Sequence, residues 1–358
     1  MSPQNSPEPL LRTAEEVSPD RLRSFLEASF GPQKAEFLHH HGSWWHRGEG
    51  NRWVIQVEEE IAAYCAVTPI ECVVGDQRIP ALWWMDLVVA PAFRGRGLQT
   101  LFDVEVRRRA PLLLGFPNEL AARIHRKHGW GVREDLKTLL LPLDPPRLNA
   151  IATASGWRGR ALRLASRLAR PAAGLWRGYV ARYRPKTARR LERPTGTELA
   201  AIAARGTSRD QVTTLRDADF FQWRYLEMPF RDQLEFYVAG PSSAPEVGLI
   251  CRHWPEGQDL KVGSPGVRIL DLFGNLEQER DVEDVIRLAS AAAAQRGAHQ
   301  VTILVSRPAS VARLRNYGFF FRATSRFCWS SESTDVMSAL DGANHHWGLG
   351  DSDNDDTR

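Results

Sequence analysis

Residues Leu87 to Gln99 read Leu-Val-Val-Ala-Pro-Ala-Phe-Arg-Gly-Arg-Gly-Leu-Gln, and they constrain the fold more than any other stretch. The apolar run predicts a strand, Leu82–Val89. The closely spaced Gly95 and Gly97 predict a tight turn, and Leu98 opens a helical pattern that runs to Arg109. A strand that turns on glycines straight into a helix aims several main-chain N–H groups at one point beside a helix N-terminus. Such a point is a seat for a pyrophosphate. Arg94 and Arg96 add positive charge to it.

A second motif follows at a spacing that matters. Leu112–Leu114 predict a buried strand; Gly115-Phe116-Pro117 then lead to Asn118, which suits a helix N-cap, and Gly129 suits the helix end. The two motifs together resemble the GNAT superfamily of acyl-CoA-dependent N-acetyltransferases. The cofactor loop of that family reads Arg/Gln-x-x-Gly-x-Gly/Ala, and Arg94–Gln99 matches it except at the last place. Its later helix reads Asn-x-x-Ala-x-x-x-Tyr-x-Lys-x-Gly-Phe. Asn118, Ala121, His125, Lys127, Gly129 and Trp130 fall on those places, with His for Tyr and Trp for Phe.

The resemblance implies a mixed α/β sheet, strongly bent, and acetyl-CoA or another acyl-CoA as co-substrate with no metal. The N–H groups of Arg96, Gly97, Leu98 and Gln99 would take the pyrophosphate, with Arg94 and Gly95 completing the turn. Leu87, Val88 and Val89 would offer main-chain groups to the pantetheine arm, and Asn118 would contact the cofactor. His125 stands where many members keep the Tyr that protonates the leaving thiolate. Imidazole, with a reference pKa of about 6.5, can do that work. On an exposed helix, Arg123, Arg126 and Lys127 would lower that pKa by their charge. The sequence identifies no general base; Asp86 and Glu71, the nearest carboxylates, read as structural or surface groups.

The second half repeats the order of the first. Leu234–Ala239, Val247–Arg252 and Val267–Phe273 predict strands, Asp281–Arg296 a helix closed by Gly297, and Gln300–Val305 a buried strand. Pro308–Tyr317 predicts a short helix ended by Gly318-Phe319. This second GNAT-like copy carries Glu277, Glu279 and Asp281 where the pyrophosphate would lie, and Arg307 and Leu314 where Asn118 and His125 stand. Like charges at that range oppose a phosphate. The chain therefore divides into an acyl-CoA-binding domain (10–144), a basic amphipathic helical linker (145–194), a degenerate GNAT-like domain (195–330) and an acidic tail (331–358).

Between Pro145 and Arg193 lie thirteen arginines and lysines and one acid, Glu192, a net +12 in a chain of net +4. The remainder is net −8. Ala161, Leu164, Leu168, Ala172, Leu175 and Tyr179 recur at helical spacing inside this stretch. Packing of that stripe between the two repeats is the first expectation; an anionic membrane or nucleic acid are the others. The aromatic run Asp219–Tyr225 is expected to pack between the halves.

His39-His40-His41 with His46 suggests a metal patch, but consecutive histidines rarely converge on one ion, so a loop walled by Trp44 and Trp45 is expected instead. The acidic end begins like a calcium loop without the distal Glu. Its Asp351 or Asp353 would serve as the missing base if Trp347 anchored it near the active half. Four scattered cysteines and a polar N-terminus fit a cytoplasmic protein. The function expected is acetyl transfer from acetyl-CoA to a small amine or amino sugar. The alternatives are a non-catalytic protein of the same fold docking on anionic membrane or RNA, and an aminoacyl-tRNA-dependent transferase. Transferases of the last kind lack the Arg-Gly-x-Gly turn, which favours acyl-CoA.

Overall fold

A computed structural model describes residues 8–145, 156–157, 160–161, 164, 168, 170–206, 211–254, 265–342 and 344–351. Along the chain run β1 (Leu10–Thr13), α1 (Pro19–Phe30), α2 (Pro32–Trp45), β2 (Arg52–Val57), β3 (Glu60–Val74), β4 (Gln77–Val89), α3 (Leu98–Arg107), β5 (Leu112–Gly115), α4 (Glu119–Lys127) and β6 (Gly131–Pro142). After them come α5 (Arg170–Ala181), β7 (Arg189–Leu191), α6 (Gly196–Ala203), β8 (Gln211–Thr214), β9 (Leu234–Ala239), β10 (Val247–Trp254) and β11 (Gly266–Gly274). The chain continues through α7 (Glu279–Gln295), β12 (Gln300–Val305), α8 (Pro308–Asn316), β13 (Phe320–Ser331), α9 (Thr334–Gly342) and β14 (Asn344–His345).

The described residues form two compact units, one of 8–133 with 326–342, the other of 134–325 with 344–351. These divisions differ from those expected at 144, 194 and 330, because each unit takes its closing strand from the other half of the sequence. In the first unit β5 pairs antiparallel with the Cys328–Ser331 end of β13. In the second, β12 pairs antiparallel with Lys137–Pro142 of β6. Lys137–Leu143, which reads as the last strand of the first half, thus serves the second unit.

The first unit orders its strands β1-β2-β3-β4-β5-β13. The parallel pair β4–β5 joins an otherwise antiparallel set. β3 runs unbroken through Pro69. Its pairing with β2 ends at Ala66, so the missing N–H of Pro69 costs no bond to that neighbour. Leu98, Phe102 and Val106, one turn apart on α3, are buried against Ile55, Val67, Leu82 and Leu113 of the sheet. Each such side chain contributes about 2 kcal/mol.

Residues 32–45 are a helix, not the loop expected around Trp44 and Trp45. Pro32 sits at the helix start, and Lys34, Ala35, Phe37, Leu38, Gly42 and Trp45 turn inward. Three consecutive histidines hide that period in the sequence, since all three are polar and only one face of the helix is dry.

The second unit orders its strands β6-β12-β11-β10-β9-β7. Val282, Val285, Ile286, Ala289 and Ala293 of α7 are buried against them. Phe221 and Tyr225 are buried inside this unit, with the Phe221 ring 4.8 Å from that of Phe273, so the aromatic run serves one unit's core. On α5 it is Trp176 and Val180 that pack on this core. The stripe expected to pack inward is instead exposed at Leu164, Leu168, Leu175 and Tyr179. Arg147, Arg158, Arg163 and Arg167 of the basic stretch lie outside the described residues, as does the tail beyond Asp351.

Candidate functional site

The glycine turn forms as its sequence implies. Gly95 has φ +78° and Gly97 φ +74°, both in the left-handed region that favours glycine, and Gly97 caps the N-terminus of α3. A Cβ placed on either would meet no atom within 4 Å, so the turn faces open space. Among the described residues the N–H groups of Arg96, Gly97, Leu98 and Gln99 find no acceptor, whereas Thr100 N–H bonds to Gly97 O at 3.0 Å. Four donors without an acceptor therefore stand at a helix N-terminus, next in sequence to the exposed Arg94 and Arg96, where an anion gains most. Arg94 is tied back to the strand, its Nε donating to Val89 O at 3.2 Å, and the Arg96 guanidinium lies over the Phe93 ring at 5.1 Å.

Ahead of the turn the sheet opens. β4 and β5 pair only at Ala81–Trp83 with Leu112–Leu114, although β4 continues to Val89. Main-chain groups of β4 beyond Trp83 are thus left without a partner on β5. On its other side β4 carries a bulge. Met85 pairs with Ala66 and Val88 with Tyr64, so Asp86 and Leu87 together face Cys65 alone. Asp86 takes φ +53°, uncommon for a residue with a Cβ. Leu87, Val88 and Val89 are half-buried along the opening.

A buried ionic cluster holds the bulge. The Lys34 ammonium lies 3.2 Å from Asp86 Oδ1, and His46 Nε2 lies 3.6 Å from Asp86 Oδ2, all three side chains at most 1% exposed. Lys34 also sits over the rings of Trp45 and Phe37, at 5.4 and 5.8 Å. Burial, opposed by the Asp86 charge, lowers the His46 pKa to about 3, so the ring is neutral. Neither Asp86 oxygen, neither His46 nitrogen nor the Tyr64 hydroxyl has a well-aligned hydrogen bond among the described residues. Sequence reading missed this cluster: it grouped His46 with His39–His41 and gave Lys34 no role. A lysine one turn into an apolar helix face was the one available signal.

The later motif forms α4, which meets β4 through the rings of His125 and Trp84. Asn118 caps α4, its Oδ1 accepting from Ala121 N–H at 2.9 Å. His125 turns inward rather than lying exposed, with its ring 4.3 Å from that of Trp130 and 6.0 Å from that of Trp84. Its pKa falls to about 4. Burial is the main cause; Asp103 opposes it, and His128 and Arg107 add to it. The lowering expected from Arg123, Arg126 and Lys127 is replaced by desolvation against two indoles. A ring neutral at pH 7 can donate one N–H hydrogen bond but holds little acid to give.

The corresponding opening in the second unit is narrowed by the chain itself to a small cavity bordered by Leu272, Leu276, Arg307, His346 and Trp347. β11 and β12 pair at Gly266–Ile269 with Gln300–Ile303 and no further. Beyond that point the chain's own residues 345–351 lie against both strands. His346 Nε2 donates to Leu272 O at 2.8 Å, Ser306 Oγ donates to His345 O at 2.8 Å, and Trp347 N–H donates to Ser306 Oγ at 3.0 Å. A Cβ on Gly348 would come within 2.6 Å of Leu270 O. At the start of α7 the N–H groups of Gln278, Glu279 and Asp281 are taken by nearby carbonyls, and Glu277 pairs with Arg307 at 3.4 Å. Arg307 caps α8, and Leu314 is buried.

Asp351 is committed to an ion-pair network inside the second unit. Arg216 Nη2 holds its Oδ2 at 2.7 Å, Gly348 N–H donates to the same oxygen at 2.8 Å, and Arg216 also grips Asp271 at 2.8 and 3.0 Å. Asp353 lies outside the described residues. His39–His41 do not converge; His40 pairs with Glu36 at 2.8 Å. Among the described residues Glu235, Cys251 and His253 do converge, within 4.8 Å. There Arg190 at 3.0 Å, and Arg296, already neutralise the Glu235 carboxylate, so the cluster reads as an ion-pair network.

An opened parallel strand pair, a bulge on its first strand and a glycine turn at a helix N-terminus define the chain as having the fold of GNAT-type N-acyltransferases, in tandem. No family model and no curated protein matches the sequence. Solved structures do match in fold. A Saccharomyces cerevisiae N-myristoyltransferase with bound myristoyl-CoA superposes with a TM-score of 0.59 at 12% identity, over 90% of this chain and 78% of that one. A conserved protein of unknown function from Enterococcus faecalis, described as a probable N-acyltransferase, gives 0.58 at 8% identity, over 92% and 74%. A GCN5-related N-acetyltransferase from Anabaena variabilis gives 0.55 at 16% identity, over 92% and 74%.

Proposed function

We propose that this chain is an acyl-CoA-dependent N-acyltransferase whose first unit carries the activity. The observation that supports it most is the Gly95–Gln99 turn, with its unpaired N–H groups at the end of a strand that has parted from its parallel neighbour. The diphosphate of CoA would sit on that turn, and Leu87–Val89 would hydrogen-bond the pantetheine arm. Asn118 would contact the cofactor from the helix beyond. The neighbours that carry CoA esters support the donor class, since one is solved with myristoyl-CoA.

Acetyl is the favoured acyl group. Trp83 stacks on Phe116 at 5.2 Å, and Trp84 packs on Trp130 at 5.7 Å, so bulky rings floor the point where the strands part. The acceptor is a small amine or amino sugar. Its nitrogen attacks the thioester carbon, the carbonyl oxygen gains charge beside main-chain N–H groups of β4 left without a partner on β5, and the C–S bond breaks. The proton lost by the amine balances the one gained by the CoA thiolate. His125, neutral, would hydrogen-bond the leaving sulfur. The second unit would bind no CoA, and the four unbridged cysteines of the chain, Cys65, Cys72, Cys251 and Cys328, fit a reducing cytoplasm.

Calorimetric titration of the full chain with acetyl-CoA tests this. Saturable binding, lost in Gly97→Asp, is expected. A folded wild-type chain that takes up neither acetyl-CoA nor CoA overturns the proposal.

A further inference from the structure

The bulge in β4 decides which main-chain groups look into the opening beside it. Ala90 N–H donates to Ala62 O at 2.9 Å, and Val88 pairs with Tyr64 in the same register. Alternate residues of an antiparallel pair turn their N–H and C=O toward the neighbour. Val88 and Ala90 therefore face β3, while Leu87 and Val89 face the side on which β5 has left off. Arg94 Nε, donating to Val89 O at 3.2 Å, marks that outward direction. Before the bulge Met85 pairs with Ala66, two residues on from Tyr64 and facing the same way on β3. Without the extra residue the alternation would turn Leu87 toward β3 and present Asp86 and Val88 to the opening instead.

What holds the extra residue is buried. Asp86 carries the positive φ of the bulge, +53°, and its carboxylate lies 3.2 Å from the Lys34 ammonium in the first turn of α2. The far end of α2 is tied to the sheet as well. Thr68 Oγ1 on β3 donates to Trp45 O at 3.1 Å, and Asn51 Nδ2, just before β2, donates to His46 O at 2.9 Å. A shift of β4 by one residue would carry the carboxylate away from its ammonium and leave both charges buried apart. We infer, resting on the acyl-CoA reading of the first unit, that Lys34 and Asp86 are positioning residues: their ion pair fixes the bulge and so turns the N–H groups of Leu87 and Val89 toward the pantetheine arm. Both side chains are buried, so they act through β4 and not by contact with the cofactor.

The test compares two probes by calorimetric titration of the full chain. CoA would use both the glycine turn and Leu87–Val89, whereas its nucleotide end, adenosine 3′-phosphate 5′-diphosphate, would use the turn alone. Wild type should bind CoA at least about tenfold more tightly than the nucleotide, the worth of one or two main-chain hydrogen bonds. Lys34→Met with Asp86→Val leaves no buried charge and puts a β-branched side chain where φ is positive. It should keep the nucleotide affinity within about twofold and lose at least about tenfold in CoA affinity. Lys34→Met with Asp86→Asn, which tolerates the positive φ but has no ammonium to hold it, should fall between valine variant and wild type. Should circular dichroism show the valine variant unfolded, the asparagine variant carries the same comparison, with a loss of at least about threefold for CoA alone. A CoA-to-nucleotide ratio unchanged in the variants, or both affinities lost in proportion, overturns the positioning role. Nucleotide binding with no gain for CoA in wild type also overturns it while leaving the turn as a phosphate site. A folded wild type that binds neither probe overturns the acyl-CoA reading and the positioning role with it.

Discussion

At single residues, the bulged strand β4 depends on a pair that lies outside the glycine motif. Asp86 is a buried carboxylate in a left-handed backbone conformation, one residue before the Leu87–Val89 main chain. Lys34 supplies the only cation within 4.0 Å of it apart from neutral His46 among the described residues. Removing one partner strands a charge in the core, which costs about 3–5 kcal/mol. Lys34→Met is therefore expected to lower stability by that amount in urea denaturation. Lys34→Met with Asp86→Asn should lose less than Lys34→Met alone, since no charge stays buried and Asn tolerates the positive φ. Gly97 separates backbone from charge in the same way. Asn and Asp both tolerate its φ, so Gly97→Asn and Gly97→Asp should fold alike, while only the aspartate lowers CoA affinity by about a hundredfold or more. Equal CoA affinities in titration calorimetry would remove the phosphate role of the turn. The glycines were legible in sequence because left-handed φ demands them. The Lys34–Asp86–His46 cluster was not, because its members meet only through the fold.

Elements tell a similar story about what pattern carries. Gln300–Val305 forms over the expected residues and α3, α4 and β5 nearly so, since periodicity and caps are local properties. The exchange of β6 and β13 between units left no trace, because a short apolar strand satisfies whichever edge it reaches. Residues 345–351 were read as the start of a loose acidic tail, yet they are built into the parted strands of the second unit through His346, Trp347 and Gly348. This occupancy, with the bonded N–H groups at the start of α7, gives a stoichiometry. One CoA per chain is expected in titration calorimetry. Gly348→Val, forced against Leu270 O, should destabilise the chain by about 1–3 kcal/mol without opening a second CoA site. Two bound CoA per chain, in wild type or variant, would contradict the reading of the second unit as degenerate.

Across the whole molecule, His46 and His125, expected at a loop and near the reaction, are buried, and His346 is half-buried. His46 and His346 are held to a pKa of about 3 and His125 to about 4, with burial the largest cause in each case. In the unfolded chain each titrates near 6.5. Between about 6.5 and the folded values the unfolded state binds more protons, so stability must fall as pH falls. His125 alone accounts for about 3 kcal/mol across its window. Glu235 adds a lower limb. Burial would raise it, but hydrogen bonds from His253 and Tyr237 and the Arg296 guanidinium hold it at about 2, so its contribution persists above the unfolded value near 4.3 and fades as pH falls toward 2. The acid limb should therefore begin near pH 6.5 rather than near pH 4, with a slope approaching three protons around pH 5. Urea midpoints measured from pH 7.5 to 4.5 read that slope directly. His125→Phe, which keeps a ring between Trp84 and Trp130, should flatten it by about one proton, or about 1.4 kcal/mol per pH unit. A stability profile level from pH 7 to 5 would mean that these imidazoles are solvated in solution, and the indole-lined floor assigned to the acyl site would fall with them.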